Sequence, residues 1–437
     1  MKRHKVKVGD FLKRVKELVP IIDTEEYSLV TIKLYHKGVL LRKKVKGSEI
    51  QADKMSKVKA GQFILSGIDA RNGAFGIIPN DLDGAVVTND FWHFDIESSI
   101  MSKEYFLWLT STPYFDDICK KASDGTTNRI RLQSDRFYTQ ELFIPHIEHQ
   151  QIIVDQLNKT NIKIKLLEEN YAFQLIQIEN LNKSILQEAV QGKLVTQNKK
   201  DEPAIELLKR IKAEKAKSGK KEKPLPPIKQ EEIPFEIPKN WVWCRLGDLC
   251  SKIGSGSTPK GSNYSTIGFP FFRSQNIYDE GLIYEDIKYV DNVVQKQMNG
   301  TVVISGDILL NITGGSMGRC ALVPSDFKEG NVSQHVCIIR PINIDKEFYH
   351  KIVLSPYFQK LIFSSTTGAG REGLPKYNLE RFLVPLPPLS EQKRIVEEIE
   401  RQLAKTKDLK QHITANKVAT EDLLKALLHG AFEGSNK

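Results

Sequence analysis

The chain repeats itself, and the repeat limits what it can fold into more than any other feature. Residues 386–399, LPPLSEQKRIVEEI, have an echo in residues 144–157, IPHIEHQQIIVDQL. At an offset of 242, Gln150 falls on Gln392, Ile153 on Ile395, Val154 on Val396 and Leu157 on Ile399, with no gap. The same offset carries Leu181 onto Leu423, Leu186 onto Leu428, and AVQG (189–192) onto AFEG (431–434). Upstream, STPYF (111–115) answers LSPYF (354–358) at 243, Ser66-Gly67 answers Ser305-Gly306 at 239, and Gly9-Asp10 answers Gly247-Asp248 at 238. Small shifts belong where loops differ in length. The repeat unit is a globular domain of about 145 residues followed by a helical arm.

In the first arm, steps of four and three residues pick out Ile153, Leu157, Thr160, Ile164, Leu167, Tyr171, Gln174, Ile178, Leu181 and Ile185. The same register in the second arm gives Ile395, Ile399, Gln402, Thr406, Leu409, Ile413, Asn416, Thr420, Leu423 and Leu427. This alternation predicts a coiled-coil seam, wetter in the second arm. Each arm would span roughly 65 Å at 1.5 Å per residue. Antiparallel pairing leaves the connecting segment a local path, whereas parallel pairing would send it back along the whole rod. That segment reads as an amphipathic helix at 202–217 and then a short-range tether, lysine-rich and studded with proline, at 218–238. The expected fold is α+β: two globular domains separated by two long antiparallel coiled-coil helices, with pseudo-twofold symmetry. Its expected parts are a first domain at 1–145, an arm at 146–195, a helix and linker at 196–240, a second domain at 241–388 and an arm at 389–437.

Within each globular domain, glycine-punctuated β-type runs such as TVVISGDILLNITGG (301–315) alternate with polar loops. The first domain carries Lys33, Arg42, Lys43, Arg71, Asn72, Arg129 and Arg131 in such stretches. The second carries Ser257, Thr258, Lys260 and Tyr264 in GSGSTPKGSNY, Arg273, Gln275 and Asn276 in FFRSQN, and Arg371 and Lys376 in TTGAGREGLPKYN. Arg forks onto guanine and Asn or Gln onto adenine in the major groove, while Lys, hydroxyls and glycine amides hold phosphates. With 64 basic against 54 acidic residues, the net charge of +10 suits an anionic partner.

Other chemistry is less well supported. GAGREG at 368–373 runs into Leu374-Pro375, which breaks the helix a dinucleotide site needs, and GSGSTPK has Pro259 where a P-loop has glycine. PLPPL lacks the leading amide or carboxylate of an amino-methyltransferase tetrad, and Asp286-Ile-Lys288 and Asp326-Phe-Lys328 are nuclease-like only by chance. No cluster of His, Ser or Cys with partners suggests a nucleophile. The five cysteines form no CxxC pair, which predicts reduced core or surface thiols and no metal site. The basic N-terminus lacks a signal-peptide apolar stretch, and no run approaches a membrane span, so a soluble intracellular chain is expected.

Three stretches together resemble one family, the specificity subunits of type I restriction-modification enzymes. They are PLPPLSEQKRIVEEIERQLAKTKDLK (385–410), the pair EPAIELLKRIKAEK (202–215) and EIPFEIPKNWVWCRLGDL (232–249), and the pair GSGSTPKG (254–261) and FFRSQNI (271–277). The resemblance covers nearly the whole chain. It implies two target-recognition domains, each reading one half of an asymmetric bipartite site in double-stranded DNA. The helices would be spacer and docking rod for two methyltransferase subunits and for restriction/translocase subunits. It further implies a non-catalytic subunit of a site-specific endodeoxyribonuclease and adenine-N6 methyltransferase complex, cytoplasmic in a prokaryote. No cofactor would sit in this chain; S-adenosylmethionine, ATP and Mg would belong to the partner subunits. His146 and His149 depart from the form at Pro388 and Glu391, which bears on where the first arm starts. Two other readings stay open, the specificity subunit of a fused restriction-methylation system and a coiled-coil adaptor that binds no DNA.

Overall fold

A computed structural model describes residues 2–125, 130–217, 224–366 and 373–432, leaving out the side chain of Ser262. The chain forms two compact units, Met1–Ala172 with Thr414–Lys437, and Phe173–Ile413. Each holds one globular head together with a part of each long helix.

The two heads share a frame. In the first, strand Arg3–Lys7 pairs antiparallel with Glu141–Pro145, the strand that feeds the first long helix. In the second, Val242–Arg245 pairs in the same way with Leu383–Leu386. A four-stranded antiparallel sheet follows, Leu12–Val15, Phe91–Ile96, Phe63–Ser66 and Phe75–Ile77 in spatial order in the first head. Its counterpart is Cys250–Ser255, Val336–Pro341, Ile308–Asn311 and Cys320–Leu322. Phe63 lies opposite Phe94 and Ile77 just as Ile308 lies opposite Ile339 and Leu322, an offset of 245 throughout. This corrects the upstream alignment read from residue identity. Gly61 matches Gly306, both with positive φ (87° and 78°), so the Ser-Gly dipeptides at 66 and 305 are not equivalent. Strand register, which sets every side chain's face, outweighs a shared dipeptide. The heads differ in their second sheets, which are five-stranded in the first (Leu18–Pro20, Lys54–Lys57, Val86–Val87, Glu26–Ile32, Val39–Lys46) and four-stranded in the second.

The first head's core is aromatic. Phe63 meets Phe106 edge-on at 4.8 Å, and Phe75 meets Phe115 at 5.0 Å, pairs that add about 0.5–1.5 kcal/mol each beyond their buried area. A polar chain crosses the interior: Ser56 Oγ lies 2.8 Å from His93 Nε2, His93 Nδ1 3.0 Å from Gln62 Oε1, and Gln62 Nε2 donates to Asp95. The sequence reading found no partnered Ser and His, so this pair is a finding of the structure. His93 is 1% exposed, its pKa is lowered mainly by burial, and no substrate reaches Ser56, itself buried. The chain stitches the two sheets together. All five cysteines are buried, and burial pushes the Cys244 and Cys337 thiols up to about 12.

The long helices are Ile147–Val190 and Leu389–Phe432, 44 residues each. One glutamine fastens each to its head. Gln150, fully buried, accepts from the Ser102 amide (2.8 Å) and donates to the carbonyls of Ile100 (2.8 Å) and Pro145 (3.1 Å). Gln392, also fully buried, accepts from Asp345 N (2.9 Å) and donates to Pro387 O (2.9 Å). Ser102 and Asp345 are themselves N-caps, each accepting from the third amide of a head helix.

From these latches the seam runs through Val154, Leu157, Ile164, Ile178, Ile185 and Ala189 in the first arm, and through Val396, Ile399, Thr406, Ile413 and Thr420 in the second. Half of the expected register holds. Leu157, Ile164, Ile178, Ile399 and Ile413 are buried as predicted, but Leu167, Leu181, Leu409, Leu423 and Leu427 are exposed, at 39–53%. Ile153 and Ile395 pack into the cores of their own heads. Polar seam positions pair with one another: Thr406, buried as predicted, donates to Asn182 (2.7 Å), the neighbour of exposed Leu181, in the second unit, and Tyr171 meets Thr420 (3.3 Å), both on the expected register, in the first. In the first unit, Ile153 and Leu157 line a cleft with Leu427 and Ala431, while Tyr171 pairs farther back with Thr420, so the helices run antiparallel. Arg3 closes the second helix by donating to Phe432 O (2.9 Å), a cation on a helix C-terminus.

The connecting segment is more than a tether. Helix Ala204–Lys217 buries Ala204, Leu207, Leu208 and Ile211 in the second head's core. Arg245, 5% exposed, holds the following stretch through both carboxylate oxygens of Glu232 (2.9 Å) and the carbonyl of Pro226.

Candidate nucleic-acid interface

The antiparallel order of the shared sheet brings one set of strand ends to a common edge. In the second head these are the end of Cys250–Ser255, the end of Ile308–Asn311 and the start of Val336–Pro341. Gly256 N donates to Val336 O and Ser257 N to Val332 O, which lays the glycine loop across the turn at 333–335. A Cβ on Gly256 would stand 1.9 Å from Val332 O, so only glycine permits this approach. Thr258 Oγ1 then bonds Gln334 Oε1, Gln334 Nε2 lies 3.2 Å from His335 Nε2, and Thr313 Oγ1 lies 2.7 Å from His335 Nδ1. Buried Asn311 fixes a fourth loop by donating to Ser274 O (2.9 Å) and Ser316 Oγ (3.2 Å).

The first head builds the same edge on the same backbone bonds. Phe91 N donates to Thr88 O as Val336 N does to Ser333 O, Gly67 N to Asp90 O as Ile312 N to His335 O, and Leu132 N to Gly67 O as Leu374 N to Ile312 O. The side chains differ. Asp90 pairs with Arg131 (2.6 Å) where the second head has His335 with Thr313. A basic hairpin lies against this region: Tyr35 N and His36 N donate to the carbonyls of Asn72 and Gly73, so the turn that carries exposed Lys33 is tied to the loop that carries Arg71 and exposed Asn72. Arg42 is the unpaired residue of a bulge on the exposed edge strand Val39–Lys46, next to exposed Lys43. Bulges of this kind re-aim a side chain.

The predicted residues of the second head divide. Ser257, Thr258, Lys260 and Gln275 are exposed on the loops. Asn276 is fully buried and donates to the carbonyls of Ile283 and Glu285, so it shapes its loop and presents no edge to solvent. Arg273 spends a guanidinium N–H on Asp286 O (2.8 Å), and Tyr264 packs with its ring tilted against buried Phe271, the centroids 5.5 Å apart. Lys376 pairs with Glu380 (3.2 Å) on a short helix. Arg129, Arg371 and most of GAGREG lie outside the described residues. The sequence reading missed Asn89, Thr313, Gln334 and His335; their one visible signal is their place in turns between β-type runs. Among the described residues no group of three or more His, Cys, Asp or Glu is placed to hold a metal ion, and no helix is long and apolar enough to cross a membrane.

Two copies of one fold with diverged polar edges, each carrying a long helix, match a known pattern. The family model for the type I restriction modification DNA specificity domain matches residues 4–180 and again 238–416, and the chain belongs to that family. Among individual relatives, the chain is 32% identical over 269 residues to the EcoAI specificity subunit of Escherichia coli, covering 58% of this chain and 44% of that one. It is 32% identical over 283 residues to the EcoEI specificity subunit of the same species, covering 61% and 46%. The chain thus spans about half the length of these curated relatives. Among solved structures, the HsdS subunit of Thermoanaerobacter tengcongensis superposes with a TM-score of 0.58 at 18% identity, over 99% of this chain and 97% of that one. A chain from work on complex assembly and conformational transition of the type I R-M system gives 0.68 at 18%, over 99% and 98%. At such identity these likenesses show the fold.

Proposed function

We propose that the chain is the DNA-specificity subunit of a type I restriction-modification complex, each head reading one half of an asymmetric bipartite site. The observation that carries this reading is the duplicated sheet edge, the same backbone bonds holding different polar side chains in each head. A shared frame with diverged readers suits two unlike half-sites. The long helices are the spacer between the half-sites. Apolar side chains left exposed on the first helix, Ile162 and Leu166 in one unit and Phe173 and Ile176 in the other, are docking surface for two methyltransferase subunits. Restriction/translocase subunits join that assembly. Chemistry resides in the partners, which bind S-adenosylmethionine, ATP and Mg, and the complex works in the cytoplasm. The net charge of +10 supports a polyanionic ligand.

The test is to express the chain with its methyltransferase partner and map methylated bases across the host DNA. One bipartite, asymmetric motif is expected. Replacing residues 1–145 with the corresponding head of a relative should change one half of that motif. A swap that alters both halves or neither, or a chain that directs no methylation, would overturn the proposal.

A further inference from the structure

The turns at 88–90 and 333–335 are equivalent, yet no predicted reader lies in them. Each joins a strand of the second sheet to a strand of the shared sheet, Val86–Val87 to Phe91–Ile96 and Glu329–Val332 to Val336–Pro341. Each is closed by the same backbone bond, Phe91 N to Thr88 O (3.0 Å) and Val336 N to Ser333 O (3.1 Å). At the tip stands an exposed amide side chain in both cases, Asn89 in the first head and Gln334 in the second. The next residue is tied to a neighbouring loop, Asp90 to Arg131 and His335 to Thr313.

Resting on the DNA-specificity reading above, we propose that Asn89 and Gln334 are specificity-determining residues, each reading the major-groove edge of an adenine in its own half-site. Gln334 is held for this task. Its Oε1 takes the Thr258 hydroxyl and its Nε2 donates to His335 Nε2, which sets the His335 proton on Nδ1, facing Thr313. One oxygen lone pair and one N–H remain on the same planar group, an acceptor and a donor of the kind that adenine N6 and N7 call for. An amide fixed before binding loses less freedom on contact than a mobile one. The Asn-to-Gln difference alters reach by one methylene on an identical turn, so the two heads approach their bases differently.

The experiment uses the full chain with its methyltransferase partner and reads methylated sites in host DNA for Asn89→Ala and Gln334→Ala separately. Each variant is expected to relax one base position in one half-site, with methylation at sites altered there rising about tenfold or more, while the other half-site stays intact. Gln334→Glu and Asn89→Asp keep the shape and remove the donor. They should shift preference at the same position from adenine toward cytosine, whose N4 donates, and they decide the matter if an alanine variant fails to fold. Unchanged motifs in both the alanine and the acidic variants, with salt-dependent duplex binding intact, would overturn this assignment and leave the specificity function standing. A wild-type complex with no salt-dependent affinity for duplex DNA would instead overturn the function.

Discussion

Replacing Gln150 with leucine, of nearly the same volume, should loosen the first head from its helix without opening a cavity. The substitution strands the Ser102 amide and removes a donor from the carbonyls of Ile100 and Pro145, all at a side chain with no solvent exposure. An unsatisfied buried donor costs about 1–3 kcal/mol, and a carbonyl with a second lone pair costs less, so the loss should be about 2–4 kcal/mol. Urea unfolding followed by the fluorescence of Trp92 and Trp108, both in the first unit, measures it, and hydrogen exchange at Ser102 reports the stranded amide directly. Gln150→Glu gives a second, signed check. Its carboxyl must stay protonated to donate at all, its single O–H serving one of the two carbonyls, so its folded pKa lies above the unfolded value of about 4.3. The folded state then binds more protons in that window. The variant should approach wild-type stability near pH 4 and lose it as the pH rises toward 7. A leucine variant within about 0.5 kcal/mol of wild type, together with a flat pH profile for the glutamate variant, would refute the latch.

Burial lowers the His350 imidazole to about 4, so the unfolded chain takes up a proton that the folded second head excludes. Stability of that head should fall by up to about 3 kcal/mol as the pH drops from 6.5 to 4, and His350→Gln should flatten the slope relative to wild type in matched urea titrations. Thr420 faces Tyr171, so a heptad inserted after Leu167 and another after Leu423 lie opposite each other. Together they should add roughly 10 Å of helix and widen the unspecified spacer of the methylated motif by about three base pairs; an unchanged spacer with full activity would show that the helices are not the ruler. Duplex affinity of the chain with its methyltransferase partner should fall by orders of magnitude from low to moderate salt, and salt-indifferent binding in a filter or anisotropy assay would contradict the phosphate contacts. Arg3→Ala should release the carbonyl of Phe432 and increase hydrogen exchange in the last turn of the second helix, with little effect at Gln392.

Duplication, arm length and antiparallel pairing were legible in the sequence because a helix tolerates no gaps. Residues 150–190 and 392–432 therefore keep one offset, and a chain leaving a long helix has few ways back. The seam was only half legible. Leu157, Ile164 and Ile178 belong to two heptad tracks at once, and hydropathy chose between these tracks by preferring Leu167 and Leu181 over Glu168 and Asn182. Tertiary structure chose the other track. The buried glutamine latches set the rotation of each helix, and Asn182 meets Thr406 across the seam, so neither polar group goes unpaired. The interface divides in the same way. Arg and amide residues in polar loops were visible as a composition, but whether each is a reader depends on what else it must satisfy, and Asn276 is consumed by its own loop. Gln334 looks like an ordinary turn residue. Strand register makes it a candidate by bringing Thr258 to it from 76 residues away, with Thr313 to His335 from 22. Local periodicity is written along the chain, but long-range pairing exists only once the sheet has closed.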